Sequence, residues 1–189
     1  GNGGSLAAVV DGKCVDTTMG LTPLEGVMMG TRSGDIDGGA VTFIQKKLGL
    51  DADGISDLLN KKSGIAGLTG LSSDMRDIEN AANAGDEKAI AAQESYFYRI
   101  KKYVGAYAAA MGGCDVLVFT AGVGENQTGM REAVCKGLEF MGIEIDVEKN
   151  STIRGEEAII STPNSKVKVV VIPTDEELMI ASDTMALVK

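Results

Sequence analysis

The chain has 189 residues, with Lys+Arg 18, Asp+Glu 27 and a formal net charge of −9. That acidity argues against a nucleic-acid surface, which needs clustered Lys and Arg to neutralise phosphates. His 0 removes any Ser-His-Asp triad, Cys-His pair or His-ligated metal site within the chain.

The length and a hydrophobic content of 44% suit one globular domain, and no apolar run reaches the ~20 residues of a bilayer span. Cys14, Cys114 and Cys135 are odd in number and far apart, as free thiols in a reducing cytoplasm would be. The 25 glycines are enriched over the usual ~7% but are not periodic. They gather at a few turns.

In chain order, residues 5–10 and 13–18 flank Asp11-Gly12 and predict a β-hairpin. Residues 20–39 are rich in Gly and Asp and read as loop. Residues 40–48 and 55–62 predict short helices, and residues 64–70, with three glycines, a loop. Ser72 and Ser73 are N-cap candidates for a helix through Met75, Ile78 and Ala82. Asp86 opens the longest helical pattern, with Ile90, Phe97, Val104 and Met111 at seven-residue spacing, ended by Gly112-Gly113. Residues 115–120 (D-V-L-V-F-T) read as a strand covered on both faces. A Gly-rich turn over 121–126 and a helix through Met130, Val134, Leu138 and Met141 follow. Residues 143–146, 158–161 and 166–172 are strand candidates. Pro173 precedes a closing helix over 174–188, with Thr174 and Glu177 spaced as a capping box. Hairpin, helices and strand–turn–helix units together predict an α/β fold.

Five places could carry chemistry. At 115–126 an apolar strand runs into G-V-G and a helix, an arrangement that offers free N–H groups and a positive dipole end to a phosphate. An ordinary strand-to-helix turn has the same residues. The dinucleotide fingerprint is broken, because Gln127 stands where its third glycine belongs, and this disfavours a dehydrogenase. Gly1-Asn2-Gly3-Gly4 can present consecutive N–H groups to a phosphate or be a plain terminus. Arg32, between Gly30 and Gly34, can stabilise a transferring phosphoryl group, or pair with Asp35 or Asp37 at the surface. Residues 72–77 read as a capped helix start. Glu176, past an apolar strand, is either a solvated first-turn acid or a carboxylate for Mg²⁺.

The motifs, taken in order, resemble the C-terminal domain of the acetate kinase family, of the actin-like ATPase (ribonuclease H-like) superfamily, over essentially the whole chain. They are G-N-G at 1–3, D-T-T-M-G-L-T-P-L-E-G-V-M-M-G-T-R-S-G-D-I-D at 16–37, N-K-K-S-G at 60–64 and S-D-M-R-D at 73–77. R-I-K-K-Y-V-G-A-Y at 99–107, V-F-T-A-G-V-G-E-N at 118–126 and I-P-T-D-E-E-L at 172–178 complete the series. The resemblance implies a mixed sheet flanked by helices, and reversible phosphorylation of acetate to acetyl phosphate by ATP with Mg²⁺. It implies that Gly1, Asn2 and Gly3 belong to a nucleotide-phosphate loop. Asp74, Met75 and Arg76, with Gly122, Val123, Gly124, Glu125 and Asn126, would line the adenosine side. Arg32 would be the catalytic arginine and Glu176 the metal ligand.

It further implies a homodimer formed through this domain and acting on small molecules; the cysteines point to a cytoplasmic protein, and the acidity and short apolar runs to no nucleic-acid or membrane partner. The chain departs from the family motifs at Gly38-Gly39, where S-G-D-I-D is followed by Pro, and at Asp175, where they have Asn. A family member is about twice as long, so the chain is expected to be the nucleotide-binding half, lacking an N-terminal domain and turning over little acetate alone. Propionate or butyrate kinase, or a nucleotide-binding module without catalysis, are the alternative readings.

Overall fold

The computed structural model describes residues 2–188. Gly1, the first candidate phosphate-loop residue, lies outside them. The chain divides into two compact units, Gly1–Gly113 and Cys114–Lys189.

In the first unit β1 (Ala7–Val10) and β2 (Lys13–Thr17) form the expected antiparallel hairpin, Val10 opposite Lys13. Its turn residues, Asp11 and Gly12, both have positive φ (50° and 75°), as a two-residue turn matching strand twist requires. Irregular chain then runs to α1 (Gly38–Leu48), capped by Asp37, whose carboxylate accepts from Gly39 N. The departure at Gly38-Gly39 thus falls in the first turn of a helix.

α2 (Ala52–Lys61) begins earlier than expected because Asp51 caps it through Gly54 N. α3 (Gly64–Thr69) stands where the glycines predicted loop. Its first N–H groups are met by tertiary partners, Ile65 N by Met29 O and Ala66 N by Gly30 O, and this offsets the weak local propensity. α4 (Met75–Asn83) is capped by Asp74, not by Ser72 or Ser73; Ser72 Oγ instead accepts from Asp74 N and donates to Asp77.

α5 (Glu87–Met111) matches the expected start at Asp86 and stop at Gly112. It packs against α3, α4 and β1. Its buried line is Ala89, Ala92, Tyr96, Ile100, Val104, Tyr107 and Ala108, so of the seven-residue series only Val104 is buried. The helix follows a 3.6-residue period around its own core.

The second unit holds a three-stranded mixed sheet in the order β3-β5-β4. β3 (Val116–Phe119) runs parallel to β5 (Lys168–Val171), and β4 (Ala158–Ile159) antiparallel to it. β3 is an edge strand within its unit. Val116 and Val118 are about half exposed, so it is not covered on both faces. α6 (Ala121–Asn126) replaces the expected turn, and α7 (Thr128–Cys135) ends before Gly137, whose φ is 83°. Leu138 and Met141 therefore fall around a 3-10 turn and not on α7. α8 (Val147–Thr152), outside the expected elements, is capped by Asp146. Ile145 makes only an isolated bridge to Ser161. α9 (Glu176–Leu187) is capped by Asp175 through Leu178 N, so Thr174 and Glu177 form no capping box. Val134, Ile143, Ile160, Val169 and Val171 are the fully buried aliphatic residues of this unit.

Candidate functional site

Within the first unit three of the expected segments meet. Gly30 N donates to Asn2 O at 3.1 Å. A Cβ on Gly30 would lie 2.7 Å from Asn2 Oδ1 and 2.9 Å from Ser73 O, so only glycine lets these strands of chain approach. A Cβ on Gly3 would stand 3.4 Å from Arg32 Nη1. The loop that carries Arg32 is fixed through its main chain: Ser63 N donates to Thr31 O, Ser33 N to Leu59 O and Met29 N to Arg32 O. Gly34 sits at φ 66°, with Gly26 O only 2.6 Å from where a Cβ would be.

The Arg32 side chain is half-buried and donates to Pro23 O at 3.3 Å and Met29 Sδ at 3.7 Å. Among the described residues it forms no ion pair. Asp37 caps α1, and Asp35 is engaged elsewhere. Asp35 Oδ1 accepts from Gly26 N at 2.9 Å, and Oδ2 accepts from Arg99 Nη1 at 3.1 Å and Tyr103 OH at 2.6 Å. The surface-pair reading of Arg32 therefore fails. Its charge is left over while its loop is anchored to α5 through a different acid. Burial, then the bond to Asp35, raises the Tyr103 hydroxyl well above the ordinary tyrosine range.

Asp74 and Arg76 form a bidentate pair, Nε to Oδ1 at 3.0 Å and Nη2 to Oδ2 at 2.6 Å. The guanidinium, then the Arg76 N–H, holds the Asp74 carboxyl down at about 2. Met75, half-buried, is the first residue of α4.

In the second unit Thr120 is extended and Ala121 turns into the left-handed region at φ 56°, a conformation costing ~1–2 kcal/mol for a residue with a Cβ. This swings the chain from β3 into α6. Gly122 faces open space, whereas Gly124 is buried with its Cβ position 3.2 Å from Phe119 C. Val123 is half-buried. Asn126 Nδ2 donates back to Gly122 O at 2.9 Å, closing the helix on itself. Glu125 Oε1 accepts from Thr174 N at 2.9 Å and Thr174 Oγ1 at 3.2 Å. Glu176 is exposed in the first turn of α9 and makes no ion pair among the described residues. The Asp175 charge is used as the helix cap, a role Asn fills as well.

Arg131 was not anticipated. Its guanidinium is fully buried and makes five hydrogen bonds: to Gly124 O and Glu125 O (2.8 Å each), Asn150 Oδ1 (2.7 Å), Asn150 O (3.3 Å) and Ile153 O (2.6 Å). Arginine is rarely buried without a carboxylate; here the carbonyl ends of α6 and α8 take that place. Nothing local in T-G-M-R-E-A-V-C signals it. Arg99 and Tyr103 were legible in part, since four-residue spacing puts both on one helix face.

Among the described residues no group of three or more His, Cys, Asp or Glu could hold a metal, and no helix is long and apolar enough to cross a membrane. A lone carboxylate is nonetheless how Mg²⁺ is commonly held beside phosphates, with water completing the shell.

The family model described as the acetokinase family matches residues 1–182. An acetate kinase of Bacteroides thetaiotaomicron is 69% identical over 189 residues, which are 100% of this chain and 47% of the relative. The crystal structure of Porphyromonas gingivalis acetate kinase superposes with a TM-score of 0.96 at 61% identity, over 100% of this chain and 47% of that one. A propionate kinase from Francisella tularensis superposes at 0.88 with 44% identity, over 95% and 46%. The fold is therefore the α/β, actin-like ATPase fold expected from the motifs. The chain spans about half the length of the curated relatives it matches. By its motifs, its fold and these likenesses, the chain belongs to the acetokinase family.

Proposed function

We propose that the chain is the nucleotide-binding half of an acetate kinase, which reversibly transfers the terminal phosphoryl group of ATP to acetate. The observation that carries the reading is Arg32, a cation with no acidic partner among the described residues, on a main chain locked in place beside Asn2 and Gly3. Phosphoryl transfer asks a protein chiefly for positioning and for charge on the group in flight. Arg32 supplies the charge. Gly1, Asn2 and Gly3 bind the phosphates. Asp74, Met75 and Arg76, and Gly122, Val123, Gly124 and Asn126, serve the adenosine side, while the Glu125 carboxylate is turned to Thr174. Glu176, a carboxylate with no ion pair among the described residues, is the kind of donor Mg²⁺ takes, and the metal when bound neutralises phosphate charge. A homodimer is the assembly this reading carries.

Two measurements test it. ATP–Mg²⁺ at about 100 times its dissociation constant stabilises the chain by ~2.7 kcal/mol, and NADH leaves the melting temperature unchanged. Spliced into the Bacteroides thetaiotaomicron relative in place of the matching segment, the chain supports acetyl phosphate formation, and Arg32→Ala abolishes it. Turnover that survives Arg32→Ala refutes the assignment. Because a solved relative is a propionate kinase, rates with acetate and propionate in the same protein decide between the two acids.

A further inference from the structure

We propose that Glu125 is a positioning residue for the metal carboxylate and not itself a nucleotide ligand; this rests on the kinase reading above. Its Oε1 takes both hydrogens that Thr174 offers, the main-chain N–H at 2.9 Å and the hydroxyl at 3.2 Å. Its own carbonyl is held by Arg131 Nη1 at 2.8 Å and by Gly155 N at 3.2 Å. One end of the residue is thus anchored in a buried clamp and the other grips the chain two residues before Glu176. Pro173 lies immediately upstream, and Asp175 is spent on capping Leu178 N.

The start of α9 therefore has Glu125 as its side-chain tie to the rest of the unit. All residues of α9 are exposed in this chain, so within it the hold on Thr174 is what ties down the start of the helix. A carboxylate in that first turn keeps its direction because Thr174 is held. The main chain of the G-V-G-E-N segment and the proposed metal ligand become one mechanical element, with Glu125 as the link.

The test uses the 189-residue chain and Mn²⁺ as a paramagnetic probe, with ATP affinity measured separately in excess EDTA. Glu125→Ala weakens Mn²⁺ binding in the presence of ATP by about tenfold, leaves metal-free ATP affinity within about twofold, and speeds amide exchange at Thr174. Glu125→Gln, which keeps an oxygen acceptor, restores both the Mn²⁺ affinity and the slow exchange at Thr174. If Glu125→Ala weakens ATP equally with and without metal, the carboxylate is a nucleotide ligand and the proposal fails. It also fails if Mn²⁺ binding is unchanged in Glu125→Ala yet lost in Glu176→Gln. Should Glu176→Gln leave Mn²⁺ binding intact, the metal assignment of the kinase reading falls, and this proposal with it.

Discussion

Replacing Arg131 by Met keeps the length and bulk of the side chain and removes its charge and five hydrogen bonds. Two effects oppose each other. Losing a buried charge relieves a desolvation penalty, and burial already pushes this guanidinium below its usual value. Against that, Gly124 O, Ile153 O and Asn150 Oδ1 lose the Arg131 donor, whereas Glu125 O keeps Gly155 N and Asn150 O keeps Ile153 N. Each buried acceptor left unmet costs ~1–3 kcal/mol, and the carbonyls sit at helix ends where a positive group is favoured. The unmet acceptors outweigh the relief, so Arg131→Met destabilises the second unit by about 3–5 kcal/mol. In urea this lowers the midpoint by about 1.5–2.5 M for a slope near 2 kcal/mol/M. Arg131→Lys, a point charge without the planar fork, recovers part of the loss. Denaturation followed by circular dichroism reads all three proteins. A Met variant as stable as the parent, or more so, refutes the reasoning and would put this arginine with the buried ion groups that apolar residues replace at no cost.

Other outcomes follow from single contacts. Gly38→Pro stabilises the chain by ~0.4–1 kcal/mol, since proline suits a first helical position and a Cβ there meets nothing within 4 Å. Asp37 before it already has φ −62° and ψ 124°, the conformation a residue before proline prefers; a fall in melting temperature would count against this. Tyr103→Phe removes the 2.6 Å bond to Asp35 and costs ~1.5–3 kcal/mol, and in a double-mutant cycle with Asp35→Ala the two losses are not additive. Burial raises Tyr96 to about 12, so the stability held by its neutral form is intact below its ordinary value of 10.0 and lost as pH climbs from there to about 12. Absorbance at 295 nm should show this residue ionising late. Asp74 has the opposite sign: its contribution is present above its ordinary 3.8 and lost as pH falls toward about 2. Arg76→Ala moves that titration back up, as read by NMR of the α4 N-terminal amides.

Much of this protein was readable along the chain, because it depends on neighbours in sequence. The turn at Asp11-Gly12, the start of α5 at Asp86 and its end at Gly112 are local decisions of backbone conformation and capping. The ordered motifs, too, are a linear property, and they carried the family.

Tertiary structure decided what depends on distant partners. α3 forms from a glycine-rich stretch only because carbonyls of Met29 and Gly30 receive its first N–H groups. Among the described residues Arg32 has no acidic partner, and the nearby Asp35 is claimed instead by Arg99 and Tyr103, 64 and 68 residues away from it. Arg131 is buried because two helix ends, separate in sequence, converge on it. A hydrogen bond depends on the distance between its atoms and not on their separation along the chain, and those distances appear only once the chain has folded.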